Sequence, residues 1–176
     1  RYLFSPAGEV TVKHTAAGLF LPMLKVGMRV GIKSTLENVE WYGRGPQETY
    51  CDRKTGAKIA RHSSTVAKLE HRYIRPQENG HRTDTRSLEI TDAAGSGIVI
   101  DAMDIPFGFN LGYYTPEKLD RAKHLFELEK DNCITLCLDA AERGVGGDMP
   151  GCAYLHKPYK LRSGKTYSFE FRISKK

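Results

Sequence analysis

Short runs of alternating apolar and polar residues recur along almost the whole chain, and turn-rich stretches separate them. Side chains of a β-strand point alternately to its two faces, so such runs predict strands with one buried face. Many strands at short spacing, with few helix signals between them, predict an all-β fold, a large antiparallel sandwich. Residues 91–97 and 130–132 predict hairpin turns between neighbouring strands. The predicted strands cover residues 9–14, 25–33, 38–42, 86–91, 97–103, 125–129, 133–139 and 166–173.

One helix start interrupts this pattern. Thr115 can cap a helix with its hydroxyl group, Pro116 suits the first helical position, and Glu117 places a negative charge in the first turn. Apolar residues are sparse after Leu119, which limits the length that packing could stabilise. We therefore expect one short helix near residues 115–122.

Length and composition fit one globular domain that spans residues 1–176. Hydrophobic residues make up 40% of the chain and charged residues 27%, which argues against disorder. No apolar run approaches the roughly 20 residues that cross a bilayer, so we expect no membrane partner. The formal charge of +6 is scattered, and its one cluster, residues 157–165, alternates like a solvated strand; we expect no nucleic-acid partner. Because the sequence opens at Arg1 in a strand pattern, we expect it to be a piece of a longer protein.

Three turn-rich stretches hold the residues best suited to binding, because loops on a rigid sheet carry polar groups to its edge. They are the first motif, residues 41–56 (WYGRGPQETYCDRKTG), the second motif, residues 75–84 (RPQENGHRTD), and the third motif, residues 144–151 (GVGGDMPG). Glycoside hydrolysis would need two carboxyl groups about 5 to 10 Å apart. The candidates are Glu48, Asp52, Glu78, Asp84 and Asp148. Loop carboxylates more often brace turns or pair with arginine, and the first two motifs supply Arg44, Arg53 and Arg82 for that role.

Other chemistry has less support. No GxSxG, HExxH or Walker-type sequence is present, the six histidines are dispersed, and the four cysteines lack metal-binding spacing. We therefore expect no metal site and no cofactor in this chain. Trp41 and Tyr42, and likewise Tyr113 and Tyr114, are either sugar-stacking surfaces or core aromatics, and composition leaves this open.

Taken in order, GPQETYCDR, PQENGHRTDTR and GVGGD resemble the C-terminal β-sandwich, the small-chain or domain 5-like region, of family-two glycoside hydrolase β-galactosidases. The resemblance covers nearly the whole chain and implies an antiparallel supersandwich, galactose-mutarotase-like, of which residues 1–176 are the C-terminal portion. It also implies that the catalytic carboxylates lie in a separate TIM-barrel domain of the same polypeptide. On this view the chain contributes to hydrolysis of terminal β-D-galactosides but contains no catalytic residue. An Mg²⁺ or Na⁺ ion, where the parent enzyme uses one, belongs to that barrel.

The resemblance implies that the third motif contributes to the sugar site. We expect Gly146 and Gly147 to allow close backbone approach and Asp148 to accept hydrogen bonds from hydroxyl groups, with Met149 beside them. In the family this loop runs on to a Trp that stacks on the sugar, and here the matching position is Gly151. Another ring substitutes, or the parent enzyme has a different substrate preference. An equally weighted alternative is that Asp148 only caps its own loop.

Two further hypotheses stay open. The chain could be a free-standing carbohydrate-binding module that recognises glycans on a sheet face, or, by fold analogy alone, a mutarotase-like epimerase. Strands absent from this chain would leave an exposed sheet edge, which a homo-oligomer could cover. The sequence does not distinguish a cytoplasmic from a periplasmic or secreted protein.

Overall fold

The chain forms two antiparallel β-sheets whose apolar faces pack against each other. The computed structural model describes residues 1–18, 20, 22–147 and 154–176. The described strands are β1 (Tyr2–Phe4), β2 (Val10–Ala16), β3 (Lys25–Lys33), β4 (Asn38–Gly45), β5 (Lys58–Thr65), β6 (Arg82–Thr85), β7 (Ser87–Thr91), β8 (Gly97–Ala102), β9 (Phe107–Gly112), β10 (Cys133–Glu142) and β11 (Tyr167–Lys175).

The larger sheet has seven strands in the order β1-β2-β11-β8-β7-β4-β5, and the smaller has four in the order β3-β10-β9-β6. Every described strand pair is antiparallel. The hairpin predicted at residues 91–97 joins β7 to β8, with Thr91 opposite Gly97. The predicted all-β, antiparallel fold is therefore confirmed.

Apolar side chains from both sheets meet in one cluster. Alternate residues of β4 and β11 are buried, as their sequence patterns predict, and the ring of Trp41 lies edge-on to Phe109 of the other sheet at 5.9 Å. Trp41 is only 2% exposed, so it belongs to the core. This packing fixes the strand ends from which the three motifs extend.

The predicted helix is confirmed as α2 (Pro116–Arg121), which follows the short helix α1 (Val66–Leu69). The side chain of Thr115 accepts a hydrogen bond from the backbone N–H of Lys118 at 3.3 Å, the cap that the sequence indicates. No described helix is long and apolar enough to cross a membrane.

One strand prediction, and the hairpin prediction that depends on it, were wrong. The segment predicted as strand 125–129 forms a 3₁₀ turn at Leu125–Glu127, because the Glu127 carboxylate accepts from the backbone N–H of Lys123 and contacts His124 Nδ1 at 2.8 Å, which closes a local turn. The hairpin predicted at residues 130–132 is therefore absent, and β10 pairs with β3 and β9 instead. The basic cluster at residues 157–165, whose sequence alternates like a strand, begins with a 3₁₀ turn at Lys157–Tyr159, and Pro158 cannot donate to a strand ladder.

The edge of the larger sheet carries exposed apolar side chains. In β1 they are Tyr2, Leu3 and Phe4, which are 59%, 48% and 77% exposed. Apolar side chains on an edge strand favour further contacts. An exposed sheet edge is what the sequence interpretation expected.

Candidate functional site

The first and second motifs interlock at one end of the sandwich through Glu48. Its carboxylate accepts from the backbone N–H of Gly80 at 2.8 Å and from Arg53 Nη2 at 2.5 Å, and it also accepts from the hydroxyl of Tyr73. A carboxylate with charged and backbone donors on both sides fixes the two loops relative to each other. Glu48 is thus a bracing residue, as the alternative interpretation predicted.

Arg82 makes the second connection, from a buried position. Its guanidinium donates to the carbonyl oxygens of Leu69 at 2.9 Å, Gly80 at 2.6 Å and Pro46 at 2.9 Å. Burial lowers the pKa of Arg82 to about 10, although the Glu48 carboxylate acts in the opposite direction. The buried cation therefore holds the backbone of both motifs.

Asp84 closes the same network from the end of the second motif. Arg44 Nε donates to its Oδ2 at 2.5 Å, and Lys54 Nζ donates to the same atom at 2.9 Å. Partial burial would raise the pKa of Asp84, but the hydrogen bonds from Arg44 and Lys54 outweigh it and hold that pKa below its ordinary value. The prediction that arginine–carboxylate pairs fix these loops is confirmed.

The third motif is held by Asp52 of the first. The carboxylate of Asp52 accepts from the backbone N–H of Val145 at 3.2 Å and of Gly146 at 2.8 Å. A Cβ at Gly144 would overlap that carboxylate and lie 2.8 Å from Leu155 Cδ1, so a larger residue here would displace the Asp52 side chain. Gly144 N also donates to Tyr159 O at 2.9 Å. The start of the third motif therefore has a defined path set by the first.

Two of the five predicted site residues can be placed. Gly146 and Gly147 are exposed at the end of the path that Asp52 fixes. Asp148, Met149 and Gly151 lie outside the described residues, so their role in sugar binding stays a prediction. Among the candidate sugar-stacking aromatics, Trp41 is a core residue and Tyr113 is 8% exposed with its hydroxyl donating to Glu37, so neither presents a free ring face.

A cavity of about 500 Å³ lies beside the interlocked motifs. Its walls include Lys54 and Asp84 from the network above and residues 158–162 on the opposite side. His81, Asp139 and Glu142 line this cavity and belong to a cluster of ionisable groups that the sequence did not bring together. The cluster consists of Lys25, Glu78, His81, Asp139 and Glu142.

Lys25 lies at the centre of the carboxylates in this cluster. Its ammonium is 3.4 Å from Glu78, 3.5 Å from Asp139 and 3.3 Å from Glu142. Burial would lower the pKa of Lys25, but the three carboxylates raise it well above its ordinary value. Burial raises the pKa of Asp139 to about 6, with Lys25 and His81 acting against it. The one sequence signal for this cluster is the charge of Asp139 in the otherwise apolar run CITLCLD.

The sequence model of the β-galactosidase small chain family matches residues 1–173. This match covers nearly all of the two sheets and all three motifs. The chain belongs to the β-galactosidase small chain family. The resemblance stated from GPQETYCDR, PQENGHRTDTR and GVGGD is thereby confirmed.

Three β-galactosidases illustrate the relationship of this small-chain sequence to longer proteins. The protein of Priestia megaterium is 35% identical over 168 residues, which are 94% of this chain and 16% of that protein. That of Halalkalibacterium halodurans is 32% identical over an alignment of 179 positions, which covers 99% of this chain and 18% of that protein. That of Vibrio cholerae is 37% identical over 153 residues, 87% of this chain and 14% of that protein. The chain thus spans less than a fifth of the length of these relatives.

Proposed function

We propose that this small-chain domain is the terminal β-sandwich of a β-galactosidase-type glycoside hydrolase that removes terminal β-D-galactosides. The catalytic carboxylates lie in a TIM-barrel domain of the same polypeptide, and the chain supports that barrel and contributes the third motif to the sugar site. The observation that carries this proposal is the pair of hydrogen bonds that the Asp52 carboxylate accepts from the backbone N–H groups of Val145 and Gly146. A glycine-rich loop held on a defined path from a rigid sheet can approach a ligand closely.

The two carboxylates at the end of β10 are not placed as a hydrolytic pair would be. Asp139 and Glu142 lie on one strand, both contact the ammonium of Lys25, and their facing oxygens lie within 4.8 Å of each other. A glycosidase pair flanks the sugar from two sides at about 5 Å or more. Two carboxylates gathered on one ammonium leave no room for a sugar ring between them.

Gly151 shapes the expected substrate preference. Without an aromatic ring at that position, the loop loses about 1 kcal/mol of stacking against a sugar face. Backbone groups of Gly146 and Gly147 and the carboxylate of Asp148 then provide the contacts from this loop. We expect a parent enzyme that depends more on hydrogen bonding than on stacking at this side of the sugar.

The purified chain tests the proposal directly. Incubated alone with a chromogenic β-galactoside, it should show no turnover above background, and calorimetric titration with galactose and lactose should show no binding. Saturable hydrolysis that the Asp148→Ala variant abolishes would refute the proposal. Micromolar sugar binding by the isolated chain would instead establish the free-standing carbohydrate-binding module.

A further inference from the structure

Three potential metal-ligating atoms converge beside the cavity. His81 Nε2 is 3.0 Å from Glu142 Oε2 and 3.7 Å from Asp139 Oδ2, and all three atoms lie within 4.8 Å of one another. Donor atoms about 2.0–2.2 Å from one ion are separated from each other by about 3.0–3.6 Å in tetrahedral or octahedral arrangements. The observed separations are close to those of a preformed set of ligands.

These atoms are buried and lack hydrogen-bond partners among the described residues. His81 and Asp139 are 2% and 3% exposed, and the Glu142 side chain is 6% exposed. His81 Nε2, Asp139 Oδ2 and Glu142 Oε2 each make no hydrogen bond within the described part of the chain. Buried polar atoms are normally hydrogen-bonded, so three without partners at one point indicate a ligand that completes them.

The other ring nitrogen of His81 sets the orientation that a metal ligand needs. Nδ1 lies 3.0 Å from the carbonyl oxygen of Thr49, which can only accept, so Nδ1 carries a proton. When a metal ion displaces the proton from Nε2, the lone pair of this nitrogen is directed towards the two carboxylates. An Nδ1–H bonded to a backbone carbonyl is the usual support of a metal-bound histidine.

Glycines on both sides of Asp139 leave the space open. Gly27 of β3 and Gly108 of β9 are its partners in the two neighbouring strands. A Cβ at Gly108 would overlap His81 Nε2, and a Cβ at Gly27 would overlap the Asp139 carboxylate. Glycine at both positions therefore lets the side chains of His81 and Asp139 approach the sheet where the three ligand atoms meet.

We propose that His81, Asp139 and Glu142 bind one divalent transition-metal ion, of which Zn²⁺ is the probe, and that its remaining coordination position faces the cavity. Charge supports a divalent ion, since with His81 as a neutral ligand the carboxylates of Glu78, Asp139 and Glu142 meet only one cation, Lys25. Glu142 serves both partners, with Oε1 3.3 Å from Lys25 and Oε2 towards His81. This site departs from the sequence expectation of no metal in this chain.

Binding is tested on the 176-residue chain after chelator treatment. Isothermal titration with Zn²⁺ should show one ion per chain. The His81→Gln and Glu142→Gln variants keep side-chain size, and each should weaken binding at least about 100-fold, because each removes a direct ligand. The matched control His124→Gln, an exposed histidine outside the cluster, should bind Zn²⁺ like the wild type. Circular dichroism of each variant checks that it is folded.

Two further measurements, Co²⁺ binding by the wild type and Zn²⁺ binding by Gly108→Ala, test the proposal if a ligand variant fails to fold. Co²⁺ should give a visible spectrum typical of nitrogen and oxygen ligands, and Gly108→Ala should weaken binding while leaving all three ligands in the sequence. A folded wild-type chain that does not bind Zn²⁺ overturns the proposal. Binding of Zn²⁺ by the His81→Gln and Glu142→Gln variants with wild-type affinity would also overturn it. An intense near-ultraviolet band of cobalt–thiolate bonds would overturn it as well, because it would assign the metal to cysteines.

Discussion

Replacing Asp52 by Ala removes the acceptor that fixes the start of the third motif. The wild-type carboxylate receives two backbone hydrogen bonds, from Val145 at 3.2 Å and Gly146 at 2.8 Å. A hydrogen bond to a buried charged group contributes about 1.5–3 kcal/mol, but both of these are exposed to solvent, so we take about 0.5–1 kcal/mol each. The sum of about 1–2 kcal/mol corresponds to a change of about 5- to 30-fold in the local opening equilibrium.

Amide hydrogen exchange measures this change without the rest of the enzyme. In Asp52→Ala the amides of Val145 and Gly146 should exchange about 5- to 30-fold faster than in the wild type. The amides of β4 and β10 should keep their rates, because the core is unchanged. The control Asp120→Ala, on the exposed side of α2, should leave exchange at residues 145 and 146 unaltered.

A second variant, Gly144→Ala, tests the backbone path of the third motif separately from its hydrogen bonds to Asp52. Gly144→Ala introduces a Cβ that overlaps the Asp52 carboxylate, so it should also speed exchange at residues 145 and 146. The same change in the Asp52→Ala background should have a smaller effect, because one of the overlapping groups is gone. If Asp52→Ala leaves both exchange rates at their wild-type values, Asp52 does not hold the loop and the reasoning fails.

Three further predictions concern the hydrogen-bond network of the first two motifs and the core residue Trp41. Arg82→Met should lower the free energy of unfolding in urea by about 3 kcal/mol, because three carbonyl oxygens each lose a donor, and a loss below 1 kcal/mol would contradict this. Trp41→Ala should cost about 3–5 kcal/mol in the same assay, because it empties a buried site between the sheets; an unchanged midpoint would show that the ring is not core. Asp84 has a lowered pKa, so its ionised form stabilises the fold above its ordinary pKa of about 3.9, and this contribution is lost as the pH falls through the lowered value. The difference in unfolding free energy between wild type and Asp84→Asn should therefore be larger at pH 7 than at pH 3, and a constant difference would argue against the role of Arg44 and Lys54.

Local patterns predicted the strands and helix whose signals are complete in one segment. The cap at Thr115 and the alternation in β4 and β11 depend on neighbouring residues only, and both were found where expected. The prediction of a strand at residues 125–129 was wrong. The apolar residues lie close together in the sequence there, and the contacts of Glu127 with Lys123 and His124 favour a turn.

The contacts of the candidate site, in contrast, join residues that are far apart in the sequence. GPQETYCDR and GVGGD were each recognised as loops, but the contact of Asp52 with Gly146 spans 94 positions, and only the folded sheets bring the two together. His81 and Glu142 are likewise distant in sequence and adjacent in space. Sequence spacing alone could not reveal either contact, because each depends on how β6, β9 and β10 are ordered.

We propose that this domain contains no hydrolytic machinery of its own and completes the sugar site of a barrel. Galactosidase assays test this on three samples: the chain alone, the barrel-containing part of the parent polypeptide alone, and the two combined. We expect negligible activity from each part and saturable hydrolysis from the combination, reduced when the chain carries Asp52→Ala. Turnover by the isolated chain, or full activity of the barrel part without it, would show that the domain does not complete the sugar site in this way.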